Sequence, residues 1–151
     1  MSDRAAVDAL HIAPAHFQEM RPLETVEIIT DLGVEGDRYA AKRDANRVKR
    51  QVLLMDHESL DDLDLTPGAV RENITTRGLP LYSLGAGQRL QLGPQVVLEV
   101  TAPCEPCYRM DEIRPGLREQ LKGRRGMLAR VLQGGTISVG DAISVLGQAA
   151  K

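Results

Sequence analysis

The stretch Leu90-Gln91-Leu92-Gly93-Pro94-Gln95-Val96-Val97-Leu98-Glu99-Val100-Thr101 decides the fold class. Leu90 and Leu92 alternate with Gln91, the period-two pattern of a half-buried strand. Gly93-Pro94 then turns the chain. Val96 to Thr101 follows at once, rich in the β-branched residues that suit a pleated surface. The same signature recurs on either side. Val26 to Thr30 reads as a strand, and Arg71 to Thr76 as a short one centred on Ile74. Thr136 to Val139 and Ala142 to Leu146 flank Gly140-Asp141, which predicts a tight hairpin with glycine at positive φ. Short strands with closely spaced turn signals predict a mainly β protein, a barrel or sandwich. Helices are few. Asp56 to Leu63 carries an acidic start with Leu60 and Leu63 at helical spacing, and Pro115 suits the first position of a helix through Lys122. Met127 to Leu132 fits either a strand or a helix.

Composition bounds the function. The chain has 151 residues, the size of one domain, so the expectation is a single domain over 1–151 with its core over about residues 5–147. Nineteen basic against 21 acidic side chains leave a formal charge of −2, too little to draw the protein to nucleic acid or acidic lipid. Three Tyr, one Phe and no Trp offer few platforms for stacking on bases. No apolar run approaches the roughly 20 residues of a membrane span. The start, Met1-Ser2-Asp3-Arg4-Ala5-Ala6, lacks the apolar centre of a signal peptide. The expectation is a cytoplasmic protein with no nucleic-acid or membrane partner.

The chemistry-bearing motif is Thr101-Ala102-Pro103-Cys104-Glu105-Pro106-Cys107-Tyr108-Arg109, just beyond the strongest strand. Loops at the ends of a sheet commonly display reactive groups. A C-x-x-C pair fits half of a zinc site, a redox dithiol, or one working thiolate with a neighbouring cysteine. It also fits two small buried hydrophobes. The only histidines, His11, His16 and His57, form no evident second zinc knuckle. Several arginines sit beside glycines or polar groups and suit an anion: Arg38 in Gly33-Val34-Glu35-Gly36-Asp37-Arg38, Arg71 with Asn73, and Arg125 and Arg130 around Gly126. Residues 42–50 are strongly basic and 56–64 strongly acidic. The basic segment reads as a solvated loop or as a lid over an anionic ligand.

In order along the chain, these elements resemble the MOSC domain family, named after the C-terminal part of molybdenum cofactor sulfurases. The matching residues are Gly33-Val34-Glu35-Gly36-Asp37-Arg38, Gln51-Val52-Leu53-Leu54, Pro67-Gly68, Glu72-Asn73-Ile74, Gly78, Leu84-Gly85, Gly87, Leu92-Gly93, Pro106-Cys107, Arg125-Gly126, Arg130-Val131, Gly134-Gly135 and Gly140-Asp141. The resemblance implies a MOSC-type β-barrel with a few short peripheral helices. It implies that Cys107 is the functional thiol, either a molybdenum ligand in a bound molybdopterin cofactor or the carrier of a persulfide. Arg71 and Asn73 would contact the pterin or its phosphate, with Arg38, Arg125 and Arg130 as further anion contacts. Asp37 could instead tie down Arg38, which would make that pair structural.

The implied activity is reduction of small N-hydroxylated compounds, with electrons from a separate donor protein. The alternatives are a sulfur carrier served by a cysteine desulfurase and a non-catalytic binding module. No pyridoxal-phosphate or iron–sulfur site is expected. Two positions depart from the family pattern: Tyr39 stands where His is frequent, and Cys104 is an added thiol that could form a disulfide with Cys107, relay sulfur to it, or be incidental.

Overall fold

The computed structural model describes residues 4–15, 19–41 and 48–148. In chain order these form β1 (Ala6–Ile12), β2 (Arg21–Leu23), β3 (Thr25–Ile29), β4 (Gly33–Val34), α1 (Arg38–Ala41), β5 (Val52–Asp56), α2 (His57–Asp62) and β6 (Ile74–Arg77). A 3₁₀ turn at Leu81–Ser83 leads to β7 (Gln88–Leu92), β8 (Val96–Pro103), α3 (Arg109–Ile113), α4 (Leu117–Gln120), β9 (Met127–Gln133), β10 (Gly135–Ser138) and β11 (Ile143–Gln148).

The Gly93-Pro94 turn does what its sequence dictates. It folds β7 back on β8 with Leu92 opposite Val96 and Leu90 opposite Leu98. The eight-stranded sheet runs β11-β7-β8-β9-β5-β6-β1-β2, antiparallel except between β5 and β6. It curls into a half-barrel. Val7 N–H donates to Asp141 O at 2.9 Å and Ile143 N–H to Ala5 O at 2.8 Å, so the start of β1 touches the residues leading into β11, while β2 remains at the edge. A small sheet, β10-β3-β4, packs alongside.

β5 positions the site. All five of its residues are buried. Val52 and Leu54 face the barrel interior with Leu10, Ile74, Leu90 and Leu98. Met55 faces outward into a second cluster with Leu60, Val70, Met110, Leu117 and Leu121, which pins α2, α3 and α4 to the barrel wall. A strand covered on both faces reads as a continuous apolar run rather than an alternating one. At its neighbour, Gly126 has φ +105, and a side chain there would overlap the Leu54 carbonyl. Only glycine lets β9 start this close to β5.

Two expectations change, and one left open is decided. Gly140-Asp141 does turn the chain, but its flanking strands are not partners: β10 pairs with β3 and β11 with β7. The Asp141 carboxylate holds Ser138 N–H at 2.8 Å, and residues 140–143 bond to β1, which draws the chain from one sheet into the other. The second helix is only Leu117–Gln120, because Gly116 precedes it at φ +86 and leaves Pro115 outside. Met127 to Gln133 is a strand, with four of its seven residues buried. The acidic helix forms as read, with the Asp56 carboxylate capping Ser59 N–H at 3.0 Å.

Candidate functional site

β8 delivers the cysteines to one end of the barrel wall. Its last residue, Pro103, pairs with Met127, and Cys104 N–H donates to Gly126 O at 2.9 Å. Cys104 is thereby held inside, 6% exposed, against Leu53 and Leu128. Three residues later Cys107 is exposed. Its carbonyl accepts Met110 N–H at 3.0 Å, which starts α3. Glu105-Pro106 separates an enclosed thiol from a presented one.

Arginines from four separate segments are coupled to the cysteines or to one another here. Arg71 ends a tight turn in which its own N–H donates to Gly68 O at 3.0 Å. The buried Glu72 carboxylate fixes that turn, accepting Gly68 N–H at 2.9 Å and the Thr75 hydroxyl at 2.7 Å. Arg71 adopts φ +67, a left-handed conformation rare outside glycine that clusters at functional sites. Burial, then the charges of Arg109 and Arg38, push its guanidinium below the usual range, with Tyr39 and Asp37 partly offsetting them. Arg38 donates to the Tyr39 hydroxyl at 2.9 Å and lies 4.5 Å from the centre of that ring. Arg50 interacts with the same hydroxyl and with the sulfurs of Cys104 and Cys107. Burial works against its charge, but these partners outweigh burial and raise it overall.

Like charges held together against burial are costly unless something negative joins them. Guanidiniums gathered in this way form a basin whose chemistry suits an anion. A cavity of about 350 Å³, lined by Gly68, Ala69, Arg71, Arg109 and Met110 among others, opens alongside.

Asp37 shapes the rim rather than the basin. Its carboxylate accepts Ala13 N–H at 2.8 Å and Tyr39 N–H at 3.2 Å. Burial pushes its carboxyl up, and the hydrogen bonds from Ala13, Tyr39 and Asn73 and the charge of Arg38 pull it back. Asn73, expected at the ligand, is buried. It accepts Leu53 N–H at 3.0 Å and donates to His11 O at 3.3 Å, tying β5 to β1. With the Asp37 contact this occupies most of what an amide can make.

Arg125 is also buried, 7% exposed, and acts electrostatically on Glu72 beneath the Arg71 turn. Arg130 pairs with Glu99 at 3.1 Å. It lies three residues along β9 from the Pro103 partner Met127, about 10 Å away at strand rise. So of the expected anion contacts the structure groups Arg38 and Arg71 with Arg109, two residues from Cys107, and engages Asn73, Arg125 and Arg130 elsewhere. Arg109 and Tyr39 join the basin without having been singled out as ligand contacts, and Arg50 joins it from the basic segment 42–50; Arg109 lies only two residues from Cys107. Of the basic segment 42–50, residues 42–47 lie outside the described residues, so its reading as a lid falls there.

Among the described residues, no three His, Cys, Asp or Glu side chains are placed to hold a metal ion, and no helix is long and apolar enough to cross a membrane. One exposed soft thiol beside guanidiniums suits a metal carried within an anionic chelate, where the protein supplies one sulfur and neutralises the chelate's charge. Molybdopterin, with its phosphate, has that character.

Comparisons with known proteins agree with the fold. A Bacillus subtilis protein, YuaD, matches with a TM-score of 0.79 over 96% of this chain and 97% of its own, at 20% identity. YiiM from Geobacillus stearothermophilus matches with a TM-score of 0.73 over 94% of this chain and 75% of its own, at 19% identity. A protein named as a reductase from Gibberella moniliformis is 36% identical over 83 residues, 52% of this chain. The chain spans only 15% of that relative's length. The MOSC domain family model matches residues 41–144, so the barrel, the order of its motifs and the Pro106-Cys107 loop place this chain in the MOSC domain family.

Proposed function

We propose that the protein binds a molybdenum cofactor and reduces small N-hydroxylated compounds with electrons from a separate donor protein. The observation that carries this reading is the coupling of Arg38 and Arg71 to Arg109, which lies two residues from the exposed Cys107. Cys107 supplies the metal with a thiolate. Arg71 and Arg109 neutralise the cofactor's phosphate, and Arg38, braced on the Tyr39 ring, completes the cradle. Backbone N–H groups complete the polar contacts, since the chain has few aromatic rings for stacking a pterin. The bound cofactor supplies two-electron redox chemistry at the metal.

The chain's own contribution is placement. The Glu72-anchored turn fixes Arg71, α3 fixes Arg109, and Pro106 fixes the direction in which Cys107 is shown. Oriented charges of this kind stabilise an anion without reorganising when it binds. The proposed setting is the cytoplasm, where both thiols stay reduced.

The test is a reductase assay on cofactor-loaded protein, with a chemical electron donor and an N-hydroxylated base. Turnover in the parent, lost in Cys107→Ser, supports the reading. Equal turnover in both overturns it. A second reading is a sulfur carrier with a persulfide on Cys107, delivered by a cysteine desulfurase. The thiol of Cys104 nearby favours it. Added sulfur on Cys107 after incubation with a desulfurase and cysteine is its signature.

A further inference from the structure

A second cavity lies apart from the arginine basin, between α2 and the segment that follows β6. Its volume is about 500 Å³, against about 350 Å³ beside Arg71, and the two share no lining residue. Leu79-Pro80-Leu81-Tyr82 forms its apolar wall. Leu79 and Leu81 are anchored in the barrel core. The segment also braces itself. Leu81 N–H donates to Leu79 O at 2.8 Å, and the Ser83 N–H and hydroxyl both donate to Pro80 O, at 3.0 and 2.7 Å. The wall is thus formed before any ligand arrives, and the cavity has the size and apolar character of a small-molecule site.

Two carboxylates and one ring give this cavity its sign. Asp56 is buried, and three neutral groups donate to its carboxylate: Ser59 N–H at 3.0 Å, the Ser59 hydroxyl at 2.7 Å and the Tyr82 hydroxyl at 2.7 Å. Glu58 is exposed and accepts Gly78 N–H at 2.9 Å with one oxygen. Among the described residues neither carboxylate forms an ion pair, and no basic side chain lines the cavity. Arg77, next to Gly78 in the chain, turns instead to Asp8 at 3.5 Å. Burial, then the bond to Asp56 and the charge of Asp56, push the Tyr82 phenol up, so its hydroxyl stays protonated and keeps the ring in place. That side chain is still 37% exposed. An accessible aromatic ring beside carboxylates with no basic partner attracts a cation and repels an anion.

We infer that this cavity is a second binding site and that it takes a small organic cation, an ammonium group on an apolar body. The ammonium sits between the Tyr82 ring and the Glu58 oxygen that Gly78 does not engage. The apolar body lies against Leu79 and Pro80. The same charges turn away the anions that suit the arginine basin, so the two sites do not compete. The inference goes beyond the cofactor reading and does not depend on it.

The test titrates cofactor-free full-length protein with phenethylammonium and with its neutral counterpart, phenethyl alcohol, followed by amide NMR. The ammonium should give saturable shifts over residues 56–58 and 78–83 and bind about tenfold more tightly than the alcohol. Glu58→Gln, which keeps an acceptor for Gly78, should weaken the ammonium about threefold to tenfold and leave the alcohol unchanged. Arg71→Gly should leave both unchanged. The pair of probes on the parent protein decides the matter should Glu58→Gln fold poorly. Equal binding of ammonium and alcohol, shifts at the Arg71 cavity instead, or shifts that never saturate overturn the proposal.

Discussion

Replacing Arg71 with glycine should make the protein more stable and a poorer anion binder. Arg71 holds φ +67, which costs an L-residue about 1–2 kcal/mol and glycine almost nothing. Glycine gives back about 0.5–1 kcal/mol through the entropy of the unfolded chain. The difference favours the variant by roughly 0.5–1 kcal/mol. Removing one of three neighbouring guanidiniums adds a small, salt-screened gain. The sum is about 1 kcal/mol, or about 2–4 °C in melting temperature for a chain of this size. Binding should move the other way, because hydrogen bonds to a charged partner contribute about 1.5–3 kcal/mol each. That is a loss of about ten- to a hundredfold in affinity. The assay is a pair of measurements: thermal melts at low salt, and titration calorimetry with inorganic phosphate. A variant that melts several degrees lower yet binds phosphate as tightly as the parent refutes the basin and its strained arginine.

Two further outcomes are expected. Gly126→Ala forces a Cβ into the Leu54 carbonyl at φ +105, so urea denaturation should show a loss of about 3 kcal/mol or more, at the large end for single substitutions. An unchanged midpoint would mean that β9 approaches β5 less closely. Glu72 is fully buried, and burial raises its carboxyl above the usual value of 4.5, with Gly68, Thr75 and Arg125 partly opposing. Its protonated form therefore adds stability that is complete below pH 4.5 and is lost as pH rises through the higher folded value. Urea midpoints of the parent should fall relative to Glu72→Gln as pH rises from 4.5. A flat or opposite difference contradicts the assignment.

The β-rich architecture was legible because local signals were strong: the 90–101 turn, the Asp56 cap and the apolar runs act within a few residues. Elements whose periodicity is broken stayed hidden. β1 shifts register between Val7 and Ala9, which spoils its alternation, and α3 is five residues long, too short for a helical repeat. The separation of β10 from β11 depends on bonds to β1, more than a hundred residues away, and no local pattern encodes it. The same divide runs through the site. Cys107 was marked by its Pro-Cys context and Arg71 by its turn. Arg50 and Arg109 come together with Arg38 only through folding. Asn73 has side-chain chemistry that suits a ligand, and only the structure shows that chemistry already engaged by Leu53 and His11.

The most direct measurement of the central claim is molybdenum and pterin content per chain, for protein produced in a host that makes the cofactor. The parent and Cys104→Ser should carry both in near-stoichiometric amounts. Arg71→Gly should carry less, and Cys107→Ser should carry little molybdenum. A parent protein free of molybdenum and pterin, or a Cys107→Ser protein loaded as fully as the parent, contradicts the account.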